Sequence, residues 1–179
     1  MPKLTQVKET KRGRYALFLD GEFAFSLDED TFAMAGLHTG DELEEWQIHD
    51  LQTKSDTRKA VDKAMDLLAL RDHAAGELYQ KLCRSFDPHS AAAAVAKMQE
   101  LNLLDDAGFA RRRAAELLRK RKSRRAILDD LHAKGIDRGA AAEAVEALFA
   151  QSEEDEEENP ELTNARALVE RHYAAKLAQ

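Results

Sequence analysis

Part of this chain is written twice. Residues 78–98, LYQKLCRSFDPHSAAAAVAKM, and residues 128–148, LDDLHAKGIDRGAAAEAVEAL, follow one plan. Each copy reads as an amphipathic helix, a short break holding an apolar residue and an Asp, and an Ala-rich helix. Phe86 and Ile136, Asp87 and Asp137, Val95 and Val145, and Met98 and Leu148 stand fifty residues apart. A period of this size marks stacked helical units, none of which can bury its apolar face alone. Such arrays usually hold partners rather than transform substrates, so the repeat points toward a binding protein.

The 179 residues suffice for one large or two small domains. Tyr15, Leu17 and Leu19 alternate, as do Phe23, Phe25 and Leu27, with Asp20-Gly21 between the runs. Asp-Gly between alternating runs predicts a hairpin, because both turn positions tolerate positive φ. Residues 3–8 offer a third strand. Asp28 can cap a helix over 29–35 ended by Gly36, and Asp41 another over 42–51, in which Trp46 reads as a core anchor. The polar stretch Gln52–Asp56 is the expected boundary. Helices are then expected near 57–70, with a stripe of Val61, Ala64, Met65 and Leu68, and near 75–85, with Leu78 and Leu82 inward. A further one at 89–101 starts at Pro88. A second set follows at 106–120, 124–134 and 138–150, with Gly135 as a C-cap. Ser152–Pro160 reads as an exposed acidic linker, since six consecutive carboxylates at 153–158 repel one another. One helix, 161–178, stands where a third unit would begin.

The expected fold is mainly α: tandem three-helix repeats in an elongated array, preceded by a small α+β unit with a β-hairpin. The boundaries are 1–55 for the N-terminal domain, 56–105 and 106–151 for two repeats, 152–160 for the linker and 161–179 for an incomplete third repeat.

Several function classes find no support. The N-terminus MPKLTQVKETKRGR lacks the apolar stretch of a signal peptide, and no apolar run approaches the ~20 residues of a membrane span. A single cysteine, Cys83, rules out an internal disulfide, reads as a buried inert thiol, and suits a reducing cytoplasm. The six histidines show no metal-ligand spacing, and no Gly-rich phosphate loop is present. Asp105-Asp106 and Asp28-Glu29-Asp30 sit at helix starts, where carboxylates cap backbone N–H groups. No catalytic residue, metal or cofactor is expected.

The net charge of −7 hides a strong asymmetry. Segment 1–56 is −6 and segment 152–179 is −5, whereas 107–151 is +5. Within it, Arg111, Arg112, Arg113, Arg119, Lys120, Arg121, Lys122, Arg124 and Arg125 face only Glu116. Charge at a helix C-terminus accounts for one or two of these nine cations. At 100° per residue Arg112, Arg119 and Lys122 fall near one face, with Arg111 and Arg125 beside it. The block is expected to bind a partner, either nucleic-acid phosphate or an acidic protein surface. No aromatic is interleaved, so base stacking is poorly supported. The acidic run 153–158 could fold back on this stripe.

At these residues the chain resembles the RecX family, regulators of the recombinase RecA. Leu103-Leu104-Asp105-Asp106 with Phe109-Ala110 resembles the family's most recognisable stretch, between its first two repeats. Arg71-Asp72-His73, Glu77-Leu78 and Lys81-Leu82 are similar to its first repeat, and Lys134-Gly135-Ile136 to the closing turn of its second. Leu19-Asp20-Gly21-Glu22-Phe23-Ala24-Phe25-Ser26-Leu27 resembles the extra N-terminal region of longer members. Asn102 and Leu103 stand where a Gly and an aromatic are common, and Lys122-Ser123-Arg124 lacks a Gly-Pro turn often seen there. The resemblance implies a non-enzymatic, cytoplasmic modulator of recombination, DNA repair and the SOS response. It would lie in the groove of the RecA–DNA filament and restrain ATP hydrolysis, strand exchange and stimulated repressor self-cleavage. The expected partners are the RecA filament and single- or double-stranded DNA, with the protein acting as a monomer. The rival reading is a helical-repeat DNA-binding module with no recombinase partner; a third is a helical scaffold for another protein.

Overall fold

Three antiparallel strands open the chain in the computed structural model, which describes residues 1–154 and 160–177. They are β1 (Leu4–Glu9), β2 (Arg14–Leu19) and β3 (Glu22–Asp28), in the order β1-β2-β3. The β2–β3 turn is Asp20-Gly21, both at positive φ (48° and 85°), as the dipeptide predicts. Leu17 pairs with Phe25 and Tyr15 with Leu27, which puts Leu17, Phe25 and Leu27 in the core. Phe23 departs from the alternation: a bulge at Leu17/Phe18 shifts the hairpin end, and its exposed ring meets Phe18 edge-on at 5.8 Å.

The chain divides into two compact units, residues 1–69 with 81–100, and residues 70–80 with 101–179. In the first unit Asp28 accepts from Thr31 N and caps α1 (Glu29–Ala35), and Gly36 ends it at φ 59°. Helix α2 (Glu45–Leu70) starts later and runs much further than its sequence suggests. Its start is delayed because Leu4 N donates to Asp41 O (2.8 Å) and Leu43 N to Pro2 O (2.9 Å), holding 41–43 extended beside β1. No break follows at 52–56. That stretch lacks Gly and Pro. Lys54 pairs with Asp50 one turn earlier (2.7 Å), and Ser55 is buried against the sheet. There Arg14 Nη2 donates to Ser26 O (2.9 Å) and to Ser55 Oγ (3.0 Å), and Ser55 Oγ donates to Ser26 O. The boundary expected at 52–56 therefore lies inside a helix. Leu4, Leu17, Phe25, Leu27 and Leu51 form this unit's core, with Phe32 stacked on Tyr15 at 4.5 Å. Trp46, expected inside, is 64% exposed, and Met65 lies outside too.

Helix α3 (Ala75–Leu82) buries Leu78 and Leu82, and Cys83 just after it is half-buried rather than buried. Helix α4 (Pro88–Glu100) begins where Asp87 accepts from Ser90 N and Ser90 Oγ. In the second unit, α5 (Asp106–Arg119), α6 (Arg124–Ala133) and α7 (Arg138–Glu154) surround Phe109, Ala114, Leu117, Ile127, Leu131, Ile136, Val145 and Phe149. Leu104 is only half-buried. Helix α8 (Pro160–Leu177) follows, with Leu168, Val169 and Tyr173 exposed. The acidic run 153–158 lies largely outside the described residues, though α7 extends to Glu154.

Burial refines the repeat. Ala60 and Ala64 match Ala110 and Ala114, and Ala91 and Ala94 match Ala141 and Ala144, all buried and fifty apart. The middle helices match at forty-nine, Leu78 with Ile127 and Leu82 with Leu131. The second copy regains its register through one extra residue before Ile136, Gly135, at φ 80°.

Candidate partner interface on the second unit

The nine cations of 111–125 do not form one stripe. Helix α5 stops at Arg119, Arg121 takes φ 60°, and Ser123 starts α6 by accepting from Ala126 N. Lys122 and Arg125 therefore leave the helical face that continued periodicity assigns to them. Arg111 faces the α5–α7 side, beside Glu143 and Ala144. Arg112 and Arg119 instead line a groove of about 660 Å³ together with Arg71, Asp72, Glu116 and Lys134, above Phe109.

Four of the nine are engaged within the protein. Arg113 makes a two-pronged pair with Asp130, Nε–Oδ2 and Nη2–Oδ1 both 2.9 Å, and a further bond to Glu116 (3.1 Å). These bonds, Asp130 foremost and against the cost of desolvation, raise the guanidinium's pKa further. The hydrogen bond from Arg113 in turn holds Asp130 below its ordinary pKa, desolvation opposing. Arg113 thus ties α5 to α6. Arg112 reaches Asp72 (3.1 Å), and Lys120 reaches Glu116 (2.7 Å). Arg124 lies 4.7 Å over the Phe149 ring and 3.8 Å from Glu161. Among the described residues Arg111, Arg119, Arg121, Lys122 and Arg125 make no ion pair; all five are exposed. Four of these lie within seven residues, across the α5–α6 turn.

Arg71 and Lys134 join the groove from outside the block. Glu77 links them, accepting from Arg71 (2.6 Å) and lying 3.7 Å from Lys134. Its desolvation is outweighed by these cations, so its pKa falls below the ordinary glutamate value. The close approach of Gly76 to Gly135 makes this possible: a Cβ on Gly76 would stand 2.9 Å from Gly135 Cα. The pair is visible in sequence only as a glycine in each copy of the repeat or beside it. Both aspartates of the 105–106 pair act as caps: Asp105 Oδ1 accepts from Gly108 N (3.0 Å), and Asp106 Oδ1 from Ala75 N (2.8 Å), reaching the start of α3.

Among the described residues no three His, Cys, Asp or Glu side chains converge on a point that could hold a metal ion. No described helix is long and apolar enough to cross a membrane. What remains is a surface of unpaired cations, suited to an anionic partner.

No family model matches the chain. Regulatory protein RecX of Lactobacillus gasseri is 31% identical over 180 residues, which cover 99% of this chain and 65% of that protein. Regulatory protein RecX of Caldanaerobacter subterraneus subsp. tengcongensis is 27% identical over 151 residues, covering 84% and 77%. That of Bacillus subtilis is 28% identical over 155 residues, covering 83% and 58%. The chain thus spans between about three-fifths and three-quarters of the length of these relatives. A crystal structure of regulatory protein RecX superposes with a TM-score of 0.70 at 22% identity, covering 100% of this chain and 86% of that one. RecX from Lactobacillus salivarius gives a TM-score of 0.57 at 18% identity over 69% of this chain and 77% of its own.

Proposed function

The chain belongs to the RecX family of regulatory proteins, and from that premise we propose that it binds the RecA–DNA filament as a monomer. Binding restrains the filament's ATPase, strand exchange and stimulation of repressor self-cleavage, and the protein itself performs no chemistry. The contact surface is Arg119, Arg121, Lys122 and Arg125, with Arg112 and Arg111 flanking it and Lys120 and Arg124 adding to the field. Arg113 serves the fold.

The observation that carries this reading is Arg121. It is exposed, unpaired among the described residues, and held at φ 60°, where glycine would sit without strain. A left-handed arginine costs roughly 1 kcal/mol relative to an unstrained residue. The left-handed turn itself closes α5, with Arg121 N donating to Leu118 O (2.8 Å) and Lys122 N to Leu117 O (3.0 Å). Glycine would close it without strain, and the arginine that stands there instead presents its guanidinium to solvent, where a partner's phosphate or carboxylate can take it. Its neighbours Arg119, Lys122 and Arg125 are likewise exposed and make no ion pair among the described residues.

The test titrates preformed RecA–single-stranded DNA filaments with this protein and follows ATP hydrolysis, alongside binding to naked DNA. The expected result is inhibition at concentrations that leave naked DNA unbound. Reversing Arg119, Arg121, Lys122 and Arg125 to Glu should shift the midpoint by at least about tenfold, or ~1.4 kcal/mol. Unchanged inhibition by that variant would make the site assignment wrong. Inhibition only where naked DNA is captured, with log K falling ~0.7–0.9 per phosphate contact as log salt rises, would establish a plain DNA-binding module. No effect on either would leave the scaffold reading in possession of the field.

A further inference from the structure

The first unit carries a surface of opposite character. Between α1 and α2 lies an open groove of about 320 Å³, floored by Leu37, Leu43 and Leu51. Met34 and Trp46 stand at its rim, 88% and 64% exposed. A large thioether and an indole left in water beside a groove are the pattern of an anchor site, because each still has most of its apolar area to bury. The indole is positioned: its Nε1 donates to Glu44 Oε2 at 2.7 Å. Gln47 Oε1 accepts from Glu44 N at 2.8 Å and holds the same corner.

Charge identifies the occupant. From Tyr15 to Thr53 the chain has ten carboxylates and no Lys or Arg. Glu29, Asp30, Glu42, Glu44 and Glu45, on the elements that build the groove, are all exposed. The one cation of the lining, Lys54, is neutralised by Asp50 at 2.7 Å. Such a rim repels phosphate, so nucleic acid and an anionic membrane are poor fits. It attracts lysine and arginine, whose aliphatic stems also lie well along apolar walls.

We propose that this groove docks a cationic segment of a protein partner, an amphipathic helix whose large apolar side chain enters between Met34 and Trp46 while its basic residues meet the carboxylate rim. The site is separate from the cationic surface of the second unit and does not depend on the function assigned to that surface.

Trp46 is the chain's single tryptophan, so its emission reports this groove in the intact protein. The probe is a 15-residue helical peptide of lysines with leucines at i, i+3, i+4 and i+7 spacing. The controls replace its leucines by glutamine or its lysines by glutamate. The expected result is a saturable blue shift with the Lys/Leu peptide, weakened by salt. Binding should be about tenfold weaker or more for the Lys/Gln peptide, which lacks the buried anchor, and undetectable for the Glu/Leu peptide. Met34→Glu, at a site too exposed to threaten folding, should weaken the Lys/Leu peptide by a similar factor. Glu42→Lys with Glu45→Lys should remove the salt dependence.

An unresponsive Trp46 would overturn the proposal. So would equal affinity for the Lys/Gln peptide, which would mean charge attraction alone, or for the Glu/Leu peptide, which would mean unspecific apolar contact. Sedimentation of the protein without peptide covers the remaining occupant. Concentration-dependent dimers abolished by Met34→Glu would mean that a second copy fills the groove, and the foreign segment would be rejected.

Discussion

Replacing Gly135 by Ala tests the joint on which the candidate interface rests. Two costs add. The residue sits at φ 80°, where a Cβ crowds the following carbonyl, a penalty of roughly 1–2 kcal/mol. The new Cβ would also stand 2.8 Å from Gly76 Cα, inside any normal contact and against backbone that cannot rotate away. Overpacking of that kind costs roughly 1–3 kcal/mol. Together these give a loss of about 2–5 kcal/mol. Gly76→Ala separates the terms. Its Cβ meets Gly135 Cα at 2.9 Å and Gly135 O at 3.1 Å, but its φ is ordinary and α3 gains helix propensity worth up to about 1 kcal/mol. A net loss of about 0–2 kcal/mol follows. Either Cβ forces Gly76 and Gly135 apart and draws Glu77 from Lys134, which leaves the Lys134 ammonium freer to meet an anionic ligand. Urea unfolding with the midpoint read at constant m-value measures both changes. If Gly135→Ala moves stability by less than about 0.5 kcal/mol, as an unremarkable surface change would, and Gly76→Ala stabilises, then the backbone contact does not exist.

Arg121→Gly should raise stability by about 1 kcal/mol by relieving the left-handed arginine while weakening filament inhibition; calorimetry and the ATPase titration on one preparation check both signs. Arg113→Ala should cost roughly 1.5–3 kcal/mol through its charged hydrogen bonds to Asp130. Because Asp130 is held below its ordinary pKa of 3.8, the stability from that pair is complete above the unfolded value and is lost as pH falls through the lowered one. Acid titration of stability in the Arg113→Ala variant should lack that part of the acid limb, and an unchanged limb would contradict the assignment. Leu131→Ala, at a fully buried site, should cost about 2–5 kcal/mol. Ser55→Ala leaves Arg14 and Ser26 short of a buried partner and should cost about 1–3 kcal/mol, both read by denaturant unfolding.

Particular residues show how far local reading reaches. The Asp20-Gly21 turn, the Asp28 cap, the Gly36 and Gly135 helix ends and the Asp105 cap all stand where their chemistry predicts. Each depends on φ and on groups within a few residues. The apolar pattern likewise marked Leu78 and Leu82 as interior. Helix α2 was illegible at 52–56 because a polar stretch without Gly or Pro carries no stop signal, and only the sheet's Arg14 and Ser26 reveal why Ser55 is buried. Trp46 followed the helical pattern yet lies outside, since the start of α2 was set by strand-like pairing of 41–43 with Pro2–Leu4.

The candidate interface divides the same way. Composition alone established that a basic block stands in an acidic chain, because charge is counted without a fold. Which cations remain unspent was decided by tertiary structure. Asp130 and Glu116 engage Arg113, Asp72 engages Arg112, and the turn at Arg121 takes Lys122 and Arg125 off the helical face. The physical reason is range: backbone dihedrals and caps are settled by near neighbours in the chain, whereas ion pairs and close backbone approach depend on which distant segment arrives, and a one-dimensional pattern does not carry that.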